Sequence, residues 1–257
     1  MTEHLLPLLY TLFVWWFSTG AILYLDGLPR WTFKYSLTVA TVVLAVALVG
    51  LAATRDDLRP SAAYLAFTCA VAVWGWQEVA FLLGFVTGPR QSALPAGATG
   101  WARWRCAIEA VLYHELALMA LAAAVAAATW GGRNTTGLWT FAILWVMRQS
   151  AKLNLFLGVR NMSEQLLPAH LAYMGSYFLR KPMNRLFPFS VIASTVVALL
   201  LWQAAMAAGA SPFSAVSLTF LATLLTLAVL EHWFLMLPLP MESLFGWGLR
   251  SRAAPAP

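Results

Sequence analysis

Pro212-Phe-Ser-Ala-Val-Ser-Leu-Thr-Phe-Leu-Ala-Thr-Leu-Leu-Thr-Leu-Ala-Val-Leu-Glu-His-Trp-Phe-Leu-Met-Leu237 carries no ionisable side chain until Glu231 and His232 stand side by side near its end. A helix needs about 20 predominantly apolar residues to cross a hydrocarbon core of about 30 Å, so the stretch reads as a membrane span. Its closing pair carries a second message. An ionisable side chain at membrane depth costs roughly 2.5 to 3.5 kcal/mol even on lenient insertion scales, so something must compensate it.

The same apolar pattern recurs upstream. Runs of suitable length cover 5–25, 35–54, 61–86, 105–130, 137–158 and 188–209, which with 212–237 makes seven. Hydrophobic residues are 61% of the chain, charged residues only 10%, and mean hydropathy is +0.74. A soluble domain typically has about 25% charged residues, so that class is excluded. Connections are mostly short, and no polar linker or low-complexity tract breaks the chain. The expectation is an all-α, polytopic integral membrane protein with one transmembrane domain over 1–257.

A net charge of +6 and a pI near 9.7 could suggest nucleic acid as a partner, but in helical membrane proteins basic residues more often set topology. With alternating spans, one side collects Arg30, Lys34, Arg90, Arg103, Arg105, Arg160, Arg180, Lys181, Arg185, Arg250 and Arg252. The other collects Arg55, Arg59 and Arg133. The positive-inside rule then predicts the N-terminus outside and the C-terminus inside, in a bacterial cytoplasmic, inner or intracytoplasmic, membrane. Met1 to His4 has no basic residue, and no small-residue cleavage site follows, so the first helix is expected to stay in the mature protein. Most tryptophans fall near span ends, as an interfacial aromatic belt requires. Cys69 and Cys106 lie in different spans without a CxxC partner and support neither a disulfide nor a cysteine metal site.

Two local patterns suggest packing. Ala120, Ala124 and Ala128 repeat at four-residue spacing, and Gly84 and Gly88 form a GxxxG near the end of the third span; both read as close internal helix contacts. Leu167, Leu171, Met174 and Phe178 recur at helical spacing before Arg180 and Lys181. They predict an amphipathic interfacial helix over 163–181 on the inner membrane face, carrying His170.

The ionisable groups inside the spans are Glu78, Glu109, His114, Glu115, Arg148, Lys152, Glu231 and His232, with Asn154 beside them. Alternating topology puts all of them in the cytoplasmic half. Arg148 and Lys152, four apart, share one helix face and can neutralise carboxylates from other spans. Four carboxylates against two fixed cations leave an acidic surplus that calls for protons, a metal or a bound cationic group. Glu78, Glu109, His114, Glu115, Glu231 and His232 also supply the residue types of a helical di-iron site, but the Glu-x-x-His spacing of such sites is missing. Adjacent residues diverge by about 100° and five-apart residues by about 140° around a helix, so not all of these groups can face one centre. No lysine on the last span offers a retinal Schiff base, and no internal repeat, Walker, nucleotide-fingerprint, HExxH or serine-nucleophile motif is present.

Asp26-Gly-Leu-Pro-Arg-Trp-Thr-Phe33, Trp74-Gly-Trp-Gln-Glu78, Thr87-Gly-Pro-Arg90, Tyr113-His-Glu115, Arg148-Gln-Ser-Ala-Lys-Leu-Asn-Leu-Phe-Leu-Gly158, Pro182-Met-Asn184 and Leu186-Phe-Pro188 together resemble the PuhE family. These are described as photosynthetic complex assembly proteins of purple and related phototrophic bacteria. The resemblance spans nearly the whole chain and is most specific from Trp139 through Val191. It implies a membrane factor for assembling the reaction centre and light-harvesting antenna, with an influence on bacteriochlorophyll supply. It carries no catalytic residue. In that setting His114, His170 and His232 become candidate axial ligands for the magnesium of bacteriochlorophyll or a precursor. The implied partners are reaction-centre and antenna subunits or pigment-synthesis enzymes, met through the inner-face helix, with no nucleic acid. Two other classes stay open: a membrane-embedded metal-dependent enzyme acting on a tetrapyrrole or lipid through the buried Glu and His residues, and a proton-coupled transporter.

Overall fold

The computed structural model describes residues 2–162, 166–237, 239 and 241–253. Seven long helices follow one another: α1 Thr2–Asp26, α2 Phe33–Thr54, α3 Pro60–Leu82, α4 Gly100–Ala128, α5 Thr136–Leu157, α6 Leu186–Ala205 and α7 Pro212–Phe234. No strand forms among the described residues; Val159 and Arg180 make an isolated bridge. Six of the seven helices are long and apolar enough to cross a membrane. The remaining one, α5, is of similar length but is diluted by Arg148, Gln149, Lys152 and Asn154.

The two central helices are α7, with 78% of its most apolar window buried, and α3, with 56%. A helix apolar all round suits a bundle interior or a lipid surface, and the run from Pro212 takes the interior. Phe67 of α3 stacks on Phe220 of α7 at 4.4 Å, and Tyr10 and Tyr64 meet Phe220 edge-on. Helix α2 instead exposes Val39, Val42, Val46 and Val49.

Helix α3 ends four residues earlier than the apolar run suggests. Gly84 adopts φ +83°, its N–H bonds to the Phe81 carbonyl, and the Phe85 and Val86 N–H groups bond to Ala80, a glycine-terminated helix end. Gly84 and Gly88 are therefore no helical GxxxG pair. Gly88 still makes a close approach, because a Cβ there would collide with the backbone of Glu109 and Ala110 on α4. Of the alanine repeat on α4, Ala128 packs half-buried against the core while Ala120 is exposed, and His114, Leu118, Leu121 and Val125 form the buried stripe.

The inner-face α-helix is replaced by a 3₁₀ helix over Ala169–Tyr177. Its buried residues, Leu171, Met174 and Tyr177, recur at three-residue spacing, the period of a 3₁₀ turn. The segment is packed into the bundle rather than lying on it, with Leu171 and Met174 against Phe81. The expected start, Ser163, Glu164 and Gln165, lies outside the described residues. At the same end the C-terminal segment crosses α1. Arg252 pairs with the buried carboxylate of Asp26 through Nε at 2.9 Å and Nη2 at 2.8 Å, and a Cβ at Gly20 would strike Trp247.

Candidate functional site

A cavity of about 670 Å³ opens among α1, α3, α4, α5 and α7, in the half of the bundle where α1, α3, α5 and α7 end. That volume is in the range of small-molecule sites, about 300 to 1,000 Å³. Its wall is mostly apolar, yet Glu78, His114, Glu115, Arg148, Lys152, Glu231 and His232 all reach it.

Helix α5 supplies the cations. Arg148 and Lys152, one turn apart, reach across to two different helices: Arg148 Nη2 lies 3.4 Å from Glu78 Oε2 on α3, and the Lys152 ammonium pairs with Glu115 on α4. The remaining oxygens are partnered too, Glu78 accepting from Gln77 at 2.9 Å and Glu115 from Gln149. Glu231 is different. It accepts one hydrogen bond, from Trp15 Nε1 at 2.7 Å, and has no ion-pair partner among the described residues. The acidic surplus expected on the cavity thus resides in a single carboxylate.

Glu109 is not on the cavity. It stands 3.5 Å from both Arg90 and Arg105, outside the cluster, because a five-residue step turns it about 140° away from His114. Asn154 is fully buried but also faces elsewhere: its side chain donates to the Ser150 carbonyl and to Ser190, and its oxygens receive Asn184 Nδ2. Asn184 Oδ1 accepts from the N–H groups of Leu186 and Phe187. This pair ties α5 to the start of α6, a structural role.

The three candidate histidines differ in what their rings have left to offer. His232 is committed at both nitrogens, with Nδ1 2.9 Å from the Ala228 carbonyl and Nε2 2.9 Å from the Ser150 hydroxyl. A carbonyl only accepts, so Nδ1 carries the proton and Nε2 takes the hydroxyl's. His170 lies outside the cavity, its Nε2 donating to the Leu82 carbonyl at 2.8 Å. His114 is buried to 1% exposure, and its Nδ1 has no hydrogen-bond partner. Its backbone is nevertheless held: the His114 N–H donates to the Thr87 carbonyl at 2.9 Å, and the ring leans on Phe81 at 4.4 Å. Close by, Arg148 Nε is likewise buried without a partner.

Among the described residues, no three His, Cys, Asp or Glu side chains are grouped so as to hold a metal ion. The cavity does offer one uncommitted imidazole and one unpaired carboxylate on an apolar wall, which suits a ligand needing a single axial donor and a polar contact.

Sequence reasoning passes over Trp15, Thr87, Gln149 and Ser150 as contributors. Gln149 and Ser150 lie within the cationic stripe of α5 and could be read from their place beside Arg148. Thr87 acts through its carbonyl, which no side-chain pattern reveals.

Comparison with known proteins gives two findings. The family model described as a protein of unknown function, DUF3623, matches residues 1–256. A Rhodobacter capsulatus protein described as an uncharacterized 30.4 kDa protein in the puhA 5' region is 40% identical over 260 residues, covering 100% of this chain and 94% of the relative. No solved structure matches.

Proposed function

The chain belongs to the DUF3623 family, and from that premise we propose a multi-pass factor of the bacterial cytoplasmic membrane that serves assembly of the photosynthetic complex and holds bacteriochlorophyll or a precursor in its cavity. The relative from the puhA region of a phototrophic bacterium supports the setting, as does the resemblance to the PuhE family. In this reading all seven long helices span the membrane, with α5 shielded by its neighbours, the N-terminus outside, and the basic end inside.

The observation that carries the proposal is His114. It is the one candidate histidine on the cavity whose ring is uncommitted, and a neutral imidazole is a good axial metal ligand. A tetrapyrrole supplies the other donors to its magnesium, so one protein ligand suffices where a protein-bound metal would need several. The group when bound would supply light absorption, and the chain's residues would only hold it. Thr87 sets the His114 backbone, Phe81 and Trp74 line the ring-packing wall, and Glu231 and Arg148 offer polar contacts to peripheral substituents. The metal-dependent enzyme is less favoured because its ligand set is not assembled among the described residues.

The test is purification from a phototrophic host with absorption and metal analysis. Bound pigment in the native protein and its loss in His114→Leu, with His232→Leu retaining it, is the expected result. Stoichiometric iron without pigment, or equal pigment in His114→Leu, overturns the reading.

A further inference from the structure

We propose that a second, smaller pocket at the basic end of the bundle binds an anionic phosphate group, carried by a lipid headgroup or free in solution. The pocket has a volume of about 300 Å³ and lies between the turn leading into α2, the segment after α3 and the 3₁₀ helix. It shares no lining residue with the large cavity.

Most of its polar lining can donate. Arg30, Thr87, Gln91 and Tyr173 present a guanidinium, two hydroxyls and an amide, and no carboxylate lines the pocket. Arg30 is permanently charged and has no ion-pair partner among the described residues. The Tyr173 hydroxyl is buried beside the Thr87 hydroxyl, the one side-chain group placed to pair with it. The Thr87 hydroxyl receives a long 3.4 Å bond from Gln91 and faces Tyr173, and a hydroxyl pair of this kind keeps one proton free to donate. His170 contributes no donor from Nε2, whose proton is spent on the Leu82 carbonyl, and its Nδ1 is an acceptor. Converging neutral and charged donors, with nothing acidic to answer them, match a tetrahedral oxyanion that has several acceptor oxygens.

The surroundings favour a lipid as the carrier. Phe33, Leu83 and Leu171 form the apolar side of the pocket. The face of α2 turned away from Phe33 exposes Tyr35, Val39, Val42, Val46 and Val49, an apolar surface for acyl chains beside a headgroup held at the level of Arg30. Basic pockets at the cytoplasmic ends of spans are a recurring way to hold anionic lipids.

The experiment uses the full chain in phosphatidylcholine vesicles with and without phosphatidylglycerol, followed by gentle extraction and mass measurement of retained lipid. A parallel arm measures thermal protection by inorganic phosphate. Retention of phosphatidylglycerol over phosphatidylcholine, resisting added phosphate, supports the site with lipid as the source. Protection by phosphate together with displacement of the lipid supports it with the phosphate group alone as the determinant. Arg30→Gln removes a charge-assisted contact and is expected to weaken either about tenfold, with Arg30→Lys recovering part. Tyr173→Phe keeps the ring and loses only the hydroxyl, so it reads the site independently should Arg30→Gln fold poorly. Equal retention by wild type, Arg30→Gln and Tyr173→Phe, or no preference for either anion, overturns the proposal.

Discussion

The two halves of this bundle use polar residues in opposite ways. In the half where α1, α3, α5 and α7 begin, Phe67, Phe220, Tyr10 and Tyr64 fill the interior. The polar groups there are spent on one another: Thr136 bonds Ser217 at 2.8 Å, and Asn134 Nδ2 caps the carbonyls of Thr54 and Ala62. In the half where those helices end, the interior is hollow, and His114 Nδ1 and Arg148 Nε are buried without partners. An unpaired buried polar group costs about 1 to 3 kcal/mol. Packing in the first half sets the stability against which the second half can keep groups free for a ligand.

The comparison breaks first at Phe220. Truncation to alanine of this fully buried ring, which stacks on Phe67 at the edge of the cavity, should cost about 3 to 5 kcal/mol, read as a lowered unfolding midpoint in detergent; a loss under about 1 kcal/mol would show that this half is not the stabilising one. Lys152→Met in the hollow half should cost less, about 1 to 3 kcal/mol, because it strands the partly exposed Glu115 with only Gln149. Adding Glu115→Leu to Lys152→Met should recover most of that loss, and failure to recover would mean that the pair does more than neutralise itself. Smaller still is His114→Leu. It replaces an unsatisfied polar ring by an apolar side chain of similar size and should leave the unfolding midpoint unchanged or slightly raised, even as the proposed ligand is lost.

The apolar runs made every long helix legible, because length and hydropathy are one-dimensional properties. Alternation then put the charges at one depth, and Glu231 could be singled out only once partners were known. What sequence could not supply was direction around each helix and the use of backbone groups. Glu109 and Asn154 share the depth of the cavity but point to Arg90 and Asn184. The stretch around His170 carries apolar residues at both three- and four-residue steps, so α and 3₁₀ readings compete, and packing of Leu171, Met174 and Tyr177 decided for the tighter one. The Thr87 carbonyl that holds His114 has no side-chain signature.

The smallest expected effect sits on the rim of the hollow half. Burial, with the nearby Arg30 and Arg252 charges behind it, pushes the His170 imidazole below its ordinary value of 6.5, against the opposing pull of the Leu82 carbonyl. The native chain therefore resists a proton that the unfolded chain accepts. Above about pH 6.5 neither state is protonated there and the group is silent; as pH falls through that value the unfolded state binds first, and stability declines. His170→Gln keeps a donor for Leu82 but cannot titrate. The unfolding midpoint of wild type should accordingly fall more steeply than that of His170→Gln between neutral pH and about pH 5. Parallel slopes, or a wild type that gains stability on acidification relative to the variant, would mean that the native state accepts this proton, and that this rim, unlike the packed half, has room to solvate a charge.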